Sequence, residues 1–285
     1  MTLSGKAKVA GVLGWPVGHS RSPRLHGYWL AQHGIDGTYV PLPVRPERFA
    51  AAVRALVDLG FAGANVTLPH KEAALAVCDT VDADARRIGA VNTMVFADGK
   101  IAGRNTDAFG FVEHLAASVP KFPIGGGPAV VLGAGGAARA VLVALADAGC
   151  KDIRVINRSV DKAEKLVDSM GVQARVGGWD GAAAALDGAA LLVNTSTLGM
   201  EGQPPLELAL DRLPKSAVVY HIVYVPLETA LLTRARARGN PAVDGLGMLL
   251  HQGRPGFKSW FGVEPQVTRA LYDFVAADLL PKKHP

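Results

Sequence analysis

Residues 128–158, PAVVLGAGGAARAVLVALADAGCKDIRVINR, carry the strongest structural signal of the chain. They predict a buried strand, a Gly-rich turn, a helix and a second strand that ends at Asn157. Gly133 permits a sharp strand-to-helix turn, and Gly135 lets the backbone approach a pyrophosphate. The N-terminus of the helix offers free N–H groups to phosphates. With Ala138 in place of the usual third glycine, the pattern indicates a dinucleotide-binding unit.

The end of the second strand indicates which dinucleotide binds. An NAD site usually places a carboxylate there, about 20 residues after the glycines, to accept a hydrogen bond from the ribose 2′-OH. This chain has Asn157, Arg158 and Ser159 instead, with Lys162 one turn further on and no acid before Asp161. Arg and Lys form charge-assisted hydrogen bonds with a 2′-phosphate. As ordinary surface charges they would be unfavourable here, because the positive end of the helix dipole repels cations at a helix start. We therefore predict NADP(H) as the cofactor.

Composition places the chain among globular proteins of one large or two medium domains, with 285 residues, 49% hydrophobic and 19% charged. The apolar runs are too short for a membrane span, and the N-terminus lacks the apolar core of a signal peptide, so we expect a cytoplasmic protein with no membrane partner. Cys78 and Cys150 lie in unrelated segments and indicate neither a disulfide framework nor a metal site.

The net charge of +5 and the pI of about 9.3 raise the question of nucleic-acid binding. The basic residues are scattered, and their densest cluster, Arg234, Arg236 and Arg238, alternates along one helix that we predict to be exposed. Because no nucleic-acid motif accompanies them, we expect no nucleic-acid partner. A mildly basic surface suits phosphorylated cofactors and carboxylate substrates instead.

Strand and helix patterns alternate along the rest of the chain. Before residue 106 they predict strands at 8–13, 38–42, 63–67 and 93–97 and helices at 23–33, 46–59 and 70–78. Beyond a helix at 107–119 and a Pro/Gly linker at 120–128, they predict strands at 129–132, 153–157, 172–176, 190–194 and 217–220, then helices at 246–252 and 265–279. This alternation predicts an α/β protein of two domains. We expect an open, mostly parallel α/β substrate domain (1–106 and 245–285) and a Rossmann-type NADP-binding domain (107–244).

Polar residues collect where the predicted strands end, which is where open α/β sheets bind ligands. Ser20 and Ser22 follow the first strand. Taken alone, Ser22 is best interpreted as the N-cap of the next helix, but two hydroxyls at a helix N-terminus also suit a substrate carboxylate. Ser20 stays open between these two interpretations.

Lys71 follows the third strand, where the sequence predicts the first turn of a helix. The helix dipole disfavours a cation there, so we interpret Lys71 as a general acid for carbonyl reduction. Asp107 begins a later helix, where a structural role as a dipole-matched cap is reasonable. Asn92 and Asn105 mark two further polar strand ends. Because these strand ends together line the ligand crevice of an open α/β sheet, we favour the functional interpretation for them jointly.

Seven motifs in this order resemble the shikimate dehydrogenase family: HSRSP (19–23), ANVTLPHK (64–71), GAVNT (89–93), NTD (105–107), GAGGAA (133–138), NRS (157–159) and DGLGML (244–249). The resemblance covers essentially the whole chain. It implies an NADP-dependent oxidoreductase that reversibly reduces 3-dehydroshikimate to shikimate in aromatic amino acid biosynthesis, and it is compatible with a homodimer. An NAD-using quinate/shikimate dehydrogenase, another two-domain Rossmann enzyme and a non-catalytic ligand sensor on the same fold are the alternatives.

The resemblance also implies roles for individual residues. Lys71 and Asp107 match the family's catalytic pair. The residues implied in substrate binding are Ser20, Ser22, Thr67, Asn92, Asp107, Tyr224 and Gln252. The residues implied in cofactor binding are Gly133, Ala134, Gly135, Gly136, Ala137, Asn157, Arg158, Ser159, Lys162, Ile222 and Gly245. The chain departs from many relatives at Arg104 and at His221, and His221 is a candidate for making cofactor binding or rate pH-sensitive.

Overall fold

The computed structural model describes residues 2–279, which pack as two units. Unit 1 contains residues 2–106 and 249–275, and unit 2 contains residues 107–248 and 276–279. The predicted division into functional domains, 1–106 with 245–285 and 107–244, stays a prediction.

The strands and helices follow one another along the chain as an α/β protein requires. Residues up to 106 form β1 (Lys8–Gly14), α1 (Ser22–Gln32), β2 (Gly37–Pro43), α2 (Phe49–Asp58), β3 (Gly63–Val66), α3 (Ala73–Val77), β4 (Thr80–Val81), α4 (Ala83–Ile88), β5 (Thr93–Ala97) and β6 (Lys100–Arg104). The following residues form α5 (Asp107–Ser118), β7 (Ala129–Leu132), α6 (Gly136–Asp147), β8 (Ile153–Ile156), α7 (Val160–Met170), β9 (Arg175–Gly177), α8 (Ala182–Ala185), β10 (Leu191–Asn194), β11 (Val218–His221), α9 (Ala230–Ala237), β12 (Ala242–Val243), α10 (Leu246–Phe261) and α11 (Arg269–Ala276).

Unit 1 is built on a six-stranded sheet in the order β2-β1-β3-β5-β6-β4. β1 pairs in parallel with β2 and β3, while β5 runs antiparallel to β3 and to β6. The predicted open, mostly parallel sheet is confirmed, but the sequence analysis missed β6. Asp98 and Gly99, both with positive φ, form the tight turn between β5 and β6, and an Asp-Gly pair is a recognised hairpin signal.

The core of unit 1 contains two groups of apolar side chains. Phe49 and Val53 of α2 pack with Leu13 and other buried strand residues, because α2 places apolar side chains at i, i+4 and i+7 on one face. Trp29 of α1 and Trp260 of α10 are also buried. The Trp260 indole N–H donates to the main-chain oxygen of Met94 over 2.9 Å.

Unit 2 contains a six-stranded sheet whose pairs are all parallel, in the order β12-β11-β10-β7-β8-β9. Numbered within the unit and followed from β9, this is the 3-2-1-4-5-6 order of dinucleotide-binding domains, so the predicted Rossmann-type fold is confirmed. The strand order reverses between β7 and β10, and ligands of such sheets bind beyond the carboxyl ends of the strands at that point. The Gly-rich turn follows β7 directly.

The basic cluster on α9 has a structural role. Arg234 donates to the main-chain oxygens of Leu206 and Leu208, and Arg238 donates to that of Leu213. Arg236 pairs with Glu228. Arg234 and Arg238 therefore fasten α9 to the segment before β11, and Arg236 is paired with a carboxylate, so the cluster does not form a free basic surface. Within residues 2–279, no helix is both long enough and apolar enough to cross a membrane.

Candidate functional site

Ser20 and Ser22 lie at the start of α1. The helix begins at Ser22, its N-cap residue is Arg21, and no side chain accepts a capping hydrogen bond there, so the predicted N-cap role of Ser22 is wrong. The Ser20 hydroxyl accepts a hydrogen bond from the Ser22 N–H over 3.3 Å. This places two hydroxyls beside the N–H groups of a helix N-terminus, an arrangement that suits a carboxylate.

Asn92 is the centre of a buried polar cluster in unit 1. Its Oδ1 accepts hydrogen bonds from the Thr106 N–H and from the Thr93 hydroxyl, each over 2.9 Å. Its Nδ2 lies 3.4 Å from Oε1 of Gln252, which is 160 residues away in the sequence. The structure thus brings together two of the predicted substrate residues, and Thr106 joins them.

Asn65 belongs to the same cluster and was missed by the sequence analysis. Its Nδ2 donates to the Asn92 main-chain oxygen and to the Thr93 hydroxyl, each over 3.1 Å. Its Oδ1 accepts from the buried Tyr39 phenol over 2.7 Å, and burial raises the pKa of that phenol well above its usual value. The signal in the sequence was a polar residue in β3, whose four residues are all buried.

Thr67 follows β3 and lies against the end of β1. Its N–H donates to the Leu13 oxygen over 2.9 Å. A Cβ added to Gly14 would lie 2.6 Å from Cγ2 of Thr67. Glycine at position 14 therefore makes room for Thr67 at the ends of these parallel strands.

Lys71 is half-buried and lies in a turn two residues before α3. Its predicted place in the first helical turn is wrong, because neighbouring His70 holds the chain in a turn. The His70 ring is buried, stacks on Phe49 with centroids 4.5 Å apart, and places Nε2 2.8 Å from the Val44 oxygen. The dipole argument for Lys71 therefore fails, while its position after β3 stands.

Asp107 and Tyr224 belong to unit 2. Asp107 is the first residue of α5 and is buried, where its carboxylate matches the positive end of the helix dipole. Tyr224 follows β11 and is half-buried. The pairing of Asp107 with Lys71 stays a prediction.

The Gly-rich turn has the geometry of a pyrophosphate site. Gly133 has φ 103°, and a Cβ added there would lie 3.0 Å from the Thr195 hydroxyl. At Gly135 and Gly136 an added Cβ would meet no protein atom within 4 Å, so protein packing does not require glycine at either position. Glycine at these positions leaves the backbone open to the close approach of a ligand. Ala134 lies in the turn and Ala137 is the second residue of α6, and no side chain caps the N-terminus of this helix.

The ribose end of the predicted cofactor site lies between β8 and α7. Asn157 Nδ2 donates to the Ser159 oxygen over 2.8 Å and so holds the intervening loop. Arg158 is exposed in that loop.

An open groove of about 540 Å³ lies beside this loop, and Ser159 and Lys162 line it. Arg139 and Lys165, which the sequence analysis missed, line the same groove. The overlooked signal for Arg139 was a cation in the first turn of a helix, where the dipole disfavours it.

The two residues predicted beside the nicotinamide lie together. A Cβ added to Gly245 would lie 1.9 Å from the Ile222 oxygen. The Ile222 N–H donates to the Asn194 oxygen over 3.1 Å, which holds the residue beyond the end of β10. The absence of a side chain at Gly245 is thus a requirement of this backbone contact.

His221 is fully buried, and its tautomer is fixed by its neighbours. Asn194 Oδ1 accepts from the Ser196 N–H and hydroxyl, so Asn194 Nδ2 donates to His221 Nε2 over 2.7 Å. Nδ1 consequently carries the proton and donates to Thr229 Oγ1 over 2.8 Å. Burial lowers the pKa of His221 to about 4. The interpretation that His221 makes binding or rate pH-sensitive is therefore wrong for neutral pH, where the ring is uncharged.

The all-parallel sheet, the Gly-rich turn and the basic groove define a Rossmann-type dehydrogenase that uses NADP. Residues 12–94 match the family model "Shikimate dehydrogenase substrate binding domain", and residues 117–197 match "Shikimate / quinate 5-dehydrogenase". The chain belongs to the shikimate dehydrogenase family and is an NADP-dependent oxidoreductase.

Individual relatives agree with this placement. The chain is 60% identical to the shikimate dehydrogenase (NADP(+)) of Paramagnetospirillum magneticum, over 96% of this chain and 99% of that one. Shikimate 5-dehydrogenase from Thermus thermophilus, solved with NADP(H) and shikimate, matches with a TM-score of 0.85 and 38% identity, covering 96% and 100% of the two chains. Quinate dehydrogenase from Corynebacterium glutamicum with NAD matches with a TM-score of 0.87 and 30% identity, covering 95% and 99%.

Proposed function

We propose that Lys71 and Asp107 carry the proton transfer in the reversible reduction of 3-dehydroshikimate to shikimate, a step of aromatic amino acid biosynthesis. Bound NADPH supplies the hydride that adds to the ring carbonyl carbon. Lys71 donates a proton to the carbonyl oxygen, and in the reverse direction it accepts the proton of the hydroxyl. Asp107 orients Lys71 and stabilises its charged form.

The buried cluster around Asn92 is the observation that carries the substrate assignment in this proposal. Its amide groups are held by several hydrogen bonds, and a satisfied buried network of this kind is rigid. Rigid amides fix the positions at which a polyol ring can exchange hydrogen bonds. We assign the binding of the substrate carboxylate to Ser20 and Ser22. The residues assigned to the hydroxyl side of the ring are Thr67, Asn92, Gln252 and Tyr224.

The cofactor residues divide by the part of NADP that they hold. The backbone of residues 133–137 holds the pyrophosphate at the N-terminus of α6. Arg158 and Lys162 bind the 2′-phosphate, with Asn157 and Ser159 shaping the loop between them. Ile222 and Gly245 lie on the nicotinamide side.

The proposal is tested by following NADPH absorbance with 3-dehydroshikimate, with 3-dehydroquinate and without substrate. We expect fast oxidation of NADPH only with 3-dehydroshikimate, because quinate-type substrates carry an extra tertiary hydroxyl beside the two serines. Comparable kcat/KM for both compounds would reassign the protein to the quinate/shikimate dehydrogenases. Tight shikimate binding without turnover would identify a ligand sensor.

Two finer points remain predictions from the sequence. We expect the protein in the cytoplasm, because the biosynthetic reaction proposed for it consumes NADPH there. Cell fractionation tests this expectation. A homodimer is compatible with the sequence, and light scattering on the purified full chain tests that assembly.

A further inference from the structure

The groove beside the Gly-rich turn is lined by two cations, Arg139 and Lys165, that the matched cofactor motif does not include. Its lining residues come from the Gly-rich turn, α6 and α7, and are Ala134, Arg139, Ser159, Asp161, Lys162, Lys165, Leu166 and Ser169. Three of these eight are cations, and one is a carboxylate. Of the three cations, only Lys162 belongs to the residues that the family resemblance assigns to the cofactor.

Lys165 lies three positions after Lys162 on α7, so the two lysines are neighbours on one helix face. Like charges at this spacing repel each other. Asp161 and Asp168 lie within one turn of Lys165, yet neither lysine forms an ion pair anywhere in the described part of the chain. Two adjacent lysines that face one groove without a carboxylate partner form a site suited to a polyanion.

We propose that Lys165, together with Arg139, belongs to the 2′-phosphate site and sets the cofactor specificity of this chain. The inference rests on NADP dependence and extends it to residues outside the family motif. Lys162 and Lys165 attract the 2′-phosphate as two point charges, and the planar guanidinium group of Arg139 adds N–H donors. The Asp161 carboxylate lines the same groove, opposes the phosphate and limits how tightly it is held.

The test compares the binding of 2′,5′-ADP and 5′-AMP to the full chain by calorimetry, since the two probes differ only in the 2′-phosphate. Lys165→Gln should weaken the binding of 2′,5′-ADP about tenfold and change that of 5′-AMP less than about twofold, as the loss of one charged phosphate contact predicts. Asp161→Asn should act in the opposite direction and tighten 2′,5′-ADP. Lys215→Gln, a change at an exposed lysine of unit 2 outside the groove, should alter neither affinity.

The outcomes separate this inference from the proposed function. If Lys165→Gln leaves 2′,5′-ADP unchanged, or weakens both probes equally, Lys165 is an ordinary solvated charge and the inference is wrong. Tightening in Asp161→Asn together with weakening in Lys165→Gln supports it. An unmodified protein that does not distinguish the probes overturns the inference and the NADP dependence together. A protein that distinguishes them but does not reduce 3-dehydroshikimate leaves the inference intact and overturns the proposed reaction.

Discussion

The Tyr39 phenol donates a hydrogen bond to Oδ1 of Asn65 over 2.7 Å, although the two residues come from different strands of unit 1. The same Asn65 holds Asn92 by its main-chain oxygen. The Ser22 hydroxyl acts on the same phenol and lowers its pKa, against the larger effect of burial. One buried phenol therefore connects Ser22, the proposed contact to the substrate carboxylate, with Asn92, a proposed contact to a substrate hydroxyl. Tyr39 itself has no proposed contact with the substrate.

Tyr39→Phe removes that hydroxyl and leaves the Asn65 oxygen buried without its donor. We expect the free energy of unfolding to fall by about 1–3 kcal/mol. We also expect KM for shikimate to rise more than kcat falls, because Asn92 and Ser22 lose their common support. Urea denaturation and steady-state kinetics measure the two effects. A variant that is less stable but has the parental KM would show that Tyr39 serves the fold alone.

Lys71→Ala should lower kcat by about 10²- to 10⁴-fold, the usual contribution of a positioned acid or base. KM for shikimate should move much less, since the carboxylate and hydroxyl contacts remain. Asp107→Ala should also lower kcat, and the double variant should fall little below the worse single variant, because the two residues act as a unit. Strict additivity of the two effects, or a near-normal kcat in Lys71→Ala, would mean that the proton comes from another group.

Arg158→Ala should weaken NADP binding by about 1.5–3 kcal/mol and weaken NAD binding much less, since only NADP carries the 2′-phosphate. Dissociation constants for both cofactors, measured at one salt concentration, give the comparison. Equal losses for NADP and NAD would place Arg158 against the adenine or ribose rather than the phosphate. Equal KM values for the two cofactors in the unmodified enzyme would contradict the cofactor assignment itself.

The stability of the protein should fall in mild acid because of His221. Its pKa is lowered to about 4 in the folded protein, against about 6.5 in the unfolded chain. The stabilisation is fully present above pH 6.5 and is lost as the pH falls toward 4, because the unfolded state then binds more protons. His221 should contribute a slope of about 1.4 kcal/mol per pH unit in that window, in addition to the contribution of any other buried histidine.

Two variants test the assignment of this slope. His221→Gln retains an acceptor for Asn194 and should reduce the slope, whereas His33→Gln, at an exposed histidine of α1's C-terminus, should leave it unchanged. Free energies of unfolding at several pH values between 7.5 and 4.5 supply the measurement. An unchanged slope in His221→Gln would mean that other groups, such as buried His26 with a pKa of about 3, account for it.

Gly63→Ala should destabilise unit 1 by about 3 kcal/mol. Gly63 has φ 155°, and its added Cβ would lie 2.2 Å from both the Met94 oxygen and the Trp260 Nε1. Gly27→Ala is the matched control, because Gly27 is exposed within α1 and its Cβ would meet nothing within 4 Å. That variant should gain about 0.5–1 kcal/mol. Opposite shifts of the melting temperature are the expected result.

The sequence predicted the cofactor unit in most of its detail because that unit depends on local signals. Strand, turn and helix follow one another within 31 residues, and Gly133 has the positive φ that its place in the motif requires. The Lys71 turn was misassigned because it depends on His70 packing against Phe49, a contact that periodicity does not show.

Sites formed by distant residues were harder to predict. Asn92 and Gln252 are 160 residues apart, and only the family resemblance paired them. Asn65 and Lys165 were missed for the same reason, since their significance depends on which side chains surround them in three dimensions. Strand patterns locate the edge of a sheet where ligands bind, but they do not identify every residue that converges there.

Unit 1 is assembled from two stretches of chain, and this has a consequence during protein synthesis. Trp29 packs against Phe257 with ring centroids 5.3 Å apart, yet the ribosome makes all of residues 107–248 between the two segments. At roughly 5–20 residues per second this interval lasts on the order of ten seconds. During this interval the apolar surfaces of α1 and its sheet are not yet covered by the side chains of α10. We therefore predict that the newly made N-terminal segment is the part of the polypeptide that most needs a holding chaperone, because its apolar surface stays uncovered until α10 has been made.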